Sequence, residues 1–310
     1  MIIIQLAGGL GNQMFQYALY LQLKSLGKDV KVDDWTGFAQ DAQRKPSLML
    51  FDIGYERATR KELIQMLDSA PYLWSKVRRR LFGRKKKSYF EADKRYHPEI
   101  MSWDDIYLEG YWQTEKYFSA VAGEVRKAYD VDKLMRYVRE EKKDMLFEQQ
   151  LAQITSTESV SVHIRRGDYL LPENQALFGG ICTEAYYETA MERIRKERPG
   201  CKFYMFTNDK QWAREWLAGV DNINIEDIEI VDVGEQSDYK EFALMSMCRH
   251  NILANSSFSW WASYLNKNPD KTVLAPDRWL NGWDCSDFYR DDMRKITADC
   301  EAMKGTIIHE

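Results

Sequence analysis

Three polar clusters in this chain follow short apolar runs, and each is built from residue types that handle anions. His163-Ile164-Arg165-Arg166-Gly167-Asp168-Tyr169 closes the strand-like stretch 159–164. Two arginines leaving the end of a buried strand are costly unless they meet anions. A guanidinium donates its N–H groups in pairs, which suits phosphate. Asp168 can orient one arginine; the competing reading is a structural arginine–carboxylate network. Asn255-Ser256-Ser257-Phe258-Ser259-Trp260-Trp261 opens a helical pattern. Serines there either cap the helix or offer hydroxyls and amides to a phosphate. Thr207-Asn208-Asp209 ends another strand-like run.

A fourth cluster lies near the start. Gly8-Gly9-Leu10-Gly11-Asn12-Gln13 separates an apolar run, 2–6, from an amphipathic stretch. A dinucleotide fingerprint needs G-x-G-x-x-G and an acid about 20 residues on. Gly9 and Gly11 fit the first two positions, and Asp33 or Asp34 fits the acid. Met14 occupies the third, where glycine normally allows close helix–strand packing. That disfavours a nicotinamide or flavin. The backbone amides of the turn can still approach an anion or a sugar, and Asn12 and Gln13 add directed hydrogen bonds. A purely structural turn is the alternative. The D-x-D of Asp130-Val131-Asp132 stands outside the strand-end set and reads as a helix cap, so no metal is expected.

The elements that must position these clusters are clearest in the second half. Strands at 159–164, 202–206, 228–233, 251–254 and 271–275 alternate with helices at 183–198, 211–217, 239–247 and 258–265. This predicts a doubly wound parallel sheet, in which ligands sit beyond the carboxyl ends of the strands. The first half offers the opening strand and helix, a short strand at 30–32, then irregular and helical sequence. Residues 124–153 read as a long helical connector, with a domain boundary near 150.

Bulk properties narrow the classes. The chain has 310 residues, 45% hydrophobic and 30% charged, an ordinary globular composition. A net charge of −4 argues against a nucleic-acid binder. The five cysteines are widely spaced, with no metal-ligand spacing. The apolar start is too short for a signal h-region, and no run of about 18 apolar residues exists. The expected location is therefore cytoplasmic. Residues 76–87 hold eight basic residues in twelve: Lys76, Arg78, Arg79, Arg80, Arg84, Lys85, Lys86 and Lys87. They read either as a solvated basic surface or as peripheral contact with the inner membrane.

"GGLGNQMFQYA" (8–18), "GYWQTEKYF" (110–118), "HIRRGDY" (163–169), "FTND" (206–209) and "CRHNILANSSFSWWASYL" (248–265) together resemble the family 11 glycosyltransferases, inverting α-1,2-fucosyltransferases of the bacterial kind. The likeness runs through most of the chain and is weakest between about 55 and 95. It implies two Rossmann-like domains facing a cleft in a GT-B-like α/β architecture. Residues 1–150 would form the acceptor-side domain with the glycine turn. Residues 151–310 would bind GDP-sugar, with a C-terminal helix packing back on the first domain. It implies transfer of L-fucose from GDP-β-L-fucose to the 2-hydroxyl of a terminal galactoside, with no metal. Arg165 would hold the β-phosphate with Arg166 beside it. His163 and Glu241, where aspartate is the expected acid, would lie near guanine. Asn208, Ser256, Ser257, Ser259, Gly9, Gly11, Asn12 and Gln13 complete the donor set. Trp112, Gln113 and Tyr169 are expected on the acceptor side, and Asp168 or Glu115 is nearest to a general base. Two other readings compete: a nucleotide-sugar oxidoreductase or epimerase, and a non-catalytic glycan-binding protein.

Overall fold

The computed structural model describes residues 1–39, 41, 44–69, 73–82, 87–142, 144–220, 224–234 and 238–297. The described residues fall into two compact units, Met1–Tyr129 with Ser286–Phe288, and Asp130–Cys285 with the described residues from Tyr289 onward.

The first unit is built on a four-stranded parallel sheet of order β2-β1-β4-β3. Its strands are β1 (Ile2–Gln5), β2 (Val30–Asp33), β3 (Ser88–Phe90) and β4 (Ile106–Glu109). Ile2, Ile3 and Ile4 are wholly buried, as expected for a central parallel strand covered on both faces. Helix α1 (Leu10–Ser25) follows β1, and Met14, at the third-glycine position, is itself core. Helix α2 (Arg60–Met66) starts in a reciprocal cap: the Thr59 hydroxyl accepts from the Glu62 N–H, and Glu62 accepts from the Thr59 N–H. Helices α3 (Leu73–Phe82) and α4 (Ala122–Ala128) complete this unit.

The second unit holds α5 (Val131–Tyr137), α6 (Met145–Ser156), β5 (Ser159–Ile164), α7 (Pro172–Phe178), α8 (Glu184–Glu197), β6 (Lys202–Thr207), α9 (Lys210–Gly219) and β7 (Ile228–Ile230). Then come α10 (Asp238–Met247), β8 (His250–Ile252), α11 (Ser257–Leu265), β9 (Val273–Pro276) and β10 (Met293–Ile296). The sheet order is β10-β9-β8-β5-β6-β7, all parallel. The chain therefore winds outward from β5 in one direction, returns to β8, and winds out in the other. This is the Rossmann order, with its switch point between β5 and β8. Every residue of β5 is buried. Val160, Val162 and Ile164 pack with Phe203 and Met205 of β6 against Tyr187, Ala190, Met191 and Ile194 of α8. Thr183 caps α8 by accepting from the Tyr186 N–H.

Three departures from the sequence reading have physical causes. Among the described residues the helical stretch after residue 122 is broken into α4, α5 with a π-helical continuation Val138–Lys142, and α6: the Asp130 and Asp144 carboxylates accept the N–H groups of Asp132 and Phe147 and so begin new helices. The D-x-D is thus a cap, as expected, and Lys267 pairs with Asp132 at 2.7 Å. The compact division accordingly falls between Tyr129 and Asp130, ahead of residue 150, because α5 and α6 pack against α10. The first half also holds β3 and β4, and β10 follows what was expected to be the last strand. These strands are only three or four residues long. That is too short for an alternation to stand out. The C-terminal helix expected to pack back on the first domain falls on 298–310, outside the described residues. The short turn Ser286–Phe288 does belong to the first unit, where Asp287 accepts from the Tyr96 N–H at 2.7 Å and pairs with Lys116.

The glycine turn is held by an amide that sequence reasoning had aimed at a ligand. Gln13 is fully buried. Its Nε2 donates to the carbonyls of Gly8 (2.9 Å) and Lys45 (3.0 Å), and its Oε1 accepts from the Ser47 N–H (2.8 Å). Gln16 does the same one turn later, accepting from the Ala7 N–H and donating to the Gly110 carbonyl. Gly8 needs to be glycine, since its φ of +74° is left-handed and a Cβ would meet Asn12 Nδ2 at 2.6 Å. The Gln13→Ala variant should lose on the order of 2–3 kcal/mol of stability by stranding these backbone groups. A thermal melt compared with wild type checks this; an unchanged melting temperature would refute the structural role.

Candidate active site

In the second unit, the residues singled out by sequence converge at the switch point. Arg165–Asp168 leave the carboxyl end of β5, and Asn255–Ser257 leave that of β8. Arg165 is braced by Asp168, whose Oδ1 accepts from Nε at 2.9 Å and lies 2.8 Å from Nη2. Its guanidinium also lies over the Tyr169 ring, 5.9 Å from the centroid. About a third of the Arg165 side chain stays exposed, so one edge of a fixed cation is open to a ligand. Arg166 turns the other way. It pairs with Asp209 at 3.3 Å and stacks on Trp212 at 4.0 Å. The two arginines therefore differ in role although adjacent, and Trp212 is a contact that sequence reasoning missed.

Gly167 and Asn208 fix this turn together. Asn208 Oδ1 accepts from the Arg166 N–H at 3.0 Å. Gly167 has φ of +45°, and a Cβ there would meet Asn208 Nδ2 at 2.3 Å. Tyr169 donates to the Asn255 carbonyl at 3.0 Å and stacks on Phe178. It ties the β5 loop to the β8 loop.

The serines divide. Ser256 is buried and accepts from the Phe258 N–H, capping α11 at 3.3 Å. Ser259 is buried, with its hydroxyl toward the carbonyls of Ser256 (3.3 Å) and Ala254 (3.4 Å). Both therefore have local structural roles. Ser257 is half-buried on the first turn of α11.

His163 is buried against Phe258, and its Nδ1 has no hydrogen-bond partner among the described residues. Burial, then the Arg165 charge, push its pKa down to about 3. It is a neutral imidazole with one ring nitrogen unsatisfied. Nearby, Thr207, Asn208, Lys210, Asp238 and Glu241 line a pocket of about 370 Å³. Two residues expected on the donor side, Asn208 and Glu241, thus share one cavity.

In the first unit, the glycine turn follows β1 and the Gly110–Gln113 segment follows β4, its neighbour in the sheet. Gln113 Nε2 donates to Asn12 Oδ1 at 2.6 Å. Gly9 is the N-terminal cap of α1 and Gly11 is buried in its first turn. A basic group missed by sequence lies against this turn: a Cβ on Gly9 would stand 3.1 Å from Arg44 Nη1. Trp112 departs from its expected acceptor role. It is wholly buried, packed between Tyr89 and Tyr117, with left-handed φ of +55°. Buried Glu91 enforces this by accepting from the N–H groups of Tyr111 and Trp112, both at 3.1 Å. Tyr111, 38% exposed, is the aromatic this segment presents. Glu115 lies in a short turn capped by Thr114.

The basic stretch is only partly described. Arg78 pairs with Asp68 and Lys87 with Asp105, while Lys76 and Arg80 are exposed. Arg84, Lys85 and Lys86, and the side chain of Arg79, lie outside the described residues. Among the described residues no group of His, Cys, Asp and Glu is arranged to hold a metal ion. No described helix is long and apolar enough to cross a membrane.

Two parallel-sheet α/β units, one of Rossmann order with a partly exposed arginine and a helix entrance at its switch point, make a GT-B-like α/β fold, and the family match gives its class, a glycosyltransferase. The family model described as glycosyl transferase family 11 matches residues 81–294, and the chain belongs to that family. It is 27% identical to the Alpha-1,2-colitosyltransferase of Escherichia coli, over 93% of this chain and 95% of that protein. It is 29% identical to the O-antigen biosynthesis glycosyltransferase WbnK of Escherichia coli, over 89% and 94%. It is 27% identical to the Galactoside alpha-(1,2)-fucosyltransferase 1 of Alouatta belzebul, over 83% of this chain and 63% of that protein.

The depressed pKa of His163 carries a pH signature. Above 6.5 the residue is neutral both folded and unfolded, and makes no difference. Between 6.5 and about 3 the unfolded chain takes up a proton that the folded chain refuses, so stability falls as pH falls. The slope from this one group is at most about 1.4 kcal/mol per pH unit. Denaturant titrations across this range should show a shallower acid limb for His163→Asn than for wild type. Equal slopes would place His163 in a wetter setting.

Proposed function

We propose that this enzyme transfers L-fucose from GDP-β-L-fucose to the 2-hydroxyl of a terminal galactoside, inverting the anomeric centre and using no metal ion. The observation that carries the reading is Arg165, a braced and partly open cation at the β5–β8 switch point. The acceptor oxygen attacks C1 of fucose while the bond from C1 to the β-phosphate oxygen breaks. Negative charge grows on the departing diphosphate, and Arg165 is the group to meet it. Such a preorganised donor lowers the barrier because it needs no reorganisation during the reaction. Asp168 acts through Arg165: its Oδ1 holds the guanidinium at Nε and Nη2, so it is a positioning residue. Arg166 secures the turn through Asp209 and Trp212. The pocket with Asn208 and Glu241 takes the base, since a carboxylate complements the N1–H and 2-amino group of guanine.

The names of the relatives favour two donors that differ by one hydroxyl, fucose and colitose, and an acceptor in the galactoside or O-antigen class. Neither an oxidoreductase nor a bare glycan-binding role explains the braced arginine. The proposal extends to peripheral contact between the basic stretch and an anionic membrane surface, supported by the exposure of Lys76 and Arg80.

Two outcomes are expected. Arg165→Ala should fold and lose on the order of 100-fold or more in turnover; near-wild-type turnover, measured with a saturating donor, would overturn the assignment. In a donor panel the enzyme should use GDP-fucose and keep its activity in EDTA. Transfer that starts only with GDP-colitose would reassign the sugar, and loss of activity in EDTA restored by a divalent ion would overturn the metal-free mechanism.

A further inference from the structure

Helix α3 has a composition that neither the fold nor the site accounts for. Leu73, Val77 and Leu81 recur every four residues, and Trp74 lies beside them on the helix surface. A stripe of this kind normally turns to the core. Here it faces out: Leu73 is 74% exposed, Trp74 83%, Leu81 69% and Phe82 81%. Lys76 and Arg80, four apart, border the same stripe and are exposed, with no ion pair among the described residues. Arg78 on the other side pairs with Asp68, an anchor to the rest of the first unit.

We infer that α3 is an interfacial helix that lies flat in an anionic bilayer surface, with Leu73, Trp74, Val77 and Leu81 among the acyl chains and Lys76 and Arg80 at the phosphates. This rests on the membrane contact proposed above and deepens it, from charge attraction to insertion of named apolar side chains. The occupant is chosen by charge complementarity. An apolar stripe bordered by cations suits a surface that offers hydrocarbon behind a layer of negative headgroups. A second copy of the chain would place Lys76 and Arg80 against their own kind or bury them without partners. A helix of ten residues reaches about 15 Å, enough to lie in the headgroup boundary and too short to span it.

The test is flotation of the full chain with two vesicle types, pure phosphatidylcholine and an equal mixture of phosphatidylcholine and phosphatidylglycerol. Binding is expected to the mixed vesicles and to weaken as salt rises. Replacing Lys76 and Arg80 by glutamate should reduce it by at least about tenfold, given on the order of fivefold per basic residue near the surface. Replacing Leu73, Trp74 and Leu81 by serine should reduce it at least as much. These side chains are exposed, so both variants should fold and keep wild-type transfer to a soluble acceptor. Full binding by the serine variant with loss in the glutamate variant would overturn insertion and leave the electrostatic contact standing. Absence of binding by the wild type would overturn both. A concentration-dependent dimer in sedimentation, abolished by the serine changes, would assign the stripe to a second copy and overturn the proposal.

Discussion

The second unit depends on the parallel pairing of β5 with β8. These strands are far apart in sequence, so their contact closes a long loop and must be well specified. Apolar side chains alone tolerate a slip along the strand. Here buried polar groups remove that freedom: Asn251 of β8 donates to Ser161 of β5 at 2.8 Å and to the Met245 carbonyl at 3.0 Å, and accepts from Asn266 at 2.8 Å. A shift in register would strand these groups without partners, at a cost comparable to the net stability of many domains. The pairing sets Arg165 and Ser257 at neighbouring strand ends. The placement of these strand-end groups is therefore a consequence of register.

The same logic operates on a smaller scale in the first unit. Its strand order also reverses between neighbours, β1 and β4, and the two segments leaving them are stitched by side-chain amides. Gln16 joins Ala7 to Gly110, and Asn12 joins Gln113. Amides serve well here because each carries both a donor and an acceptor and no charge to desolvate. The glycine turn is therefore a rigid structural joint as much as a candidate contact surface. Its resemblance to a dinucleotide fingerprint follows from the shared requirement for a tight strand-to-helix turn.

The parts legible in the sequence were those where burial and polarity change abruptly. β5 is an uninterrupted buried run that ends in two arginines, and no other reading of 159–166 satisfies both facts. Strands β3, β4 and β10 lacked such contrast, and only tertiary pairing makes them strands. The residue types of the site were legible, but their division of labour was not. Ser256 and Ser259 look alike in a row of serines, yet their hydroxyls are engaged by the helix entrance. The family resemblance puts Trp112 on the acceptor side, and only the Glu91 carboxylate, distant in sequence, shows why the backbone turns it inward and leaves Tyr111 outside. Gln13 reads as a ligand-facing amide until Lys45 and Ser47 are seen beside it.

Helix α3 shows the opposite failure of sequence reading. Its basic residues dominate the run 76–87, so charge is the visible signal in the sequence. Periodicity says that a stripe exists; it does not say which way the stripe faces. That direction is fixed by whatever the helix leans on. In this chain the bracing contact, Arg78 to Asp68, comes from the flank and leaves Leu73, Trp74 and Leu81 outward. An exposed stripe lowers the stability of the isolated protein relative to one with polar residues there, and contact with a second phase gives it a physical rationale. In the membrane contact we infer, the flanking cations select a phase with a negative surface.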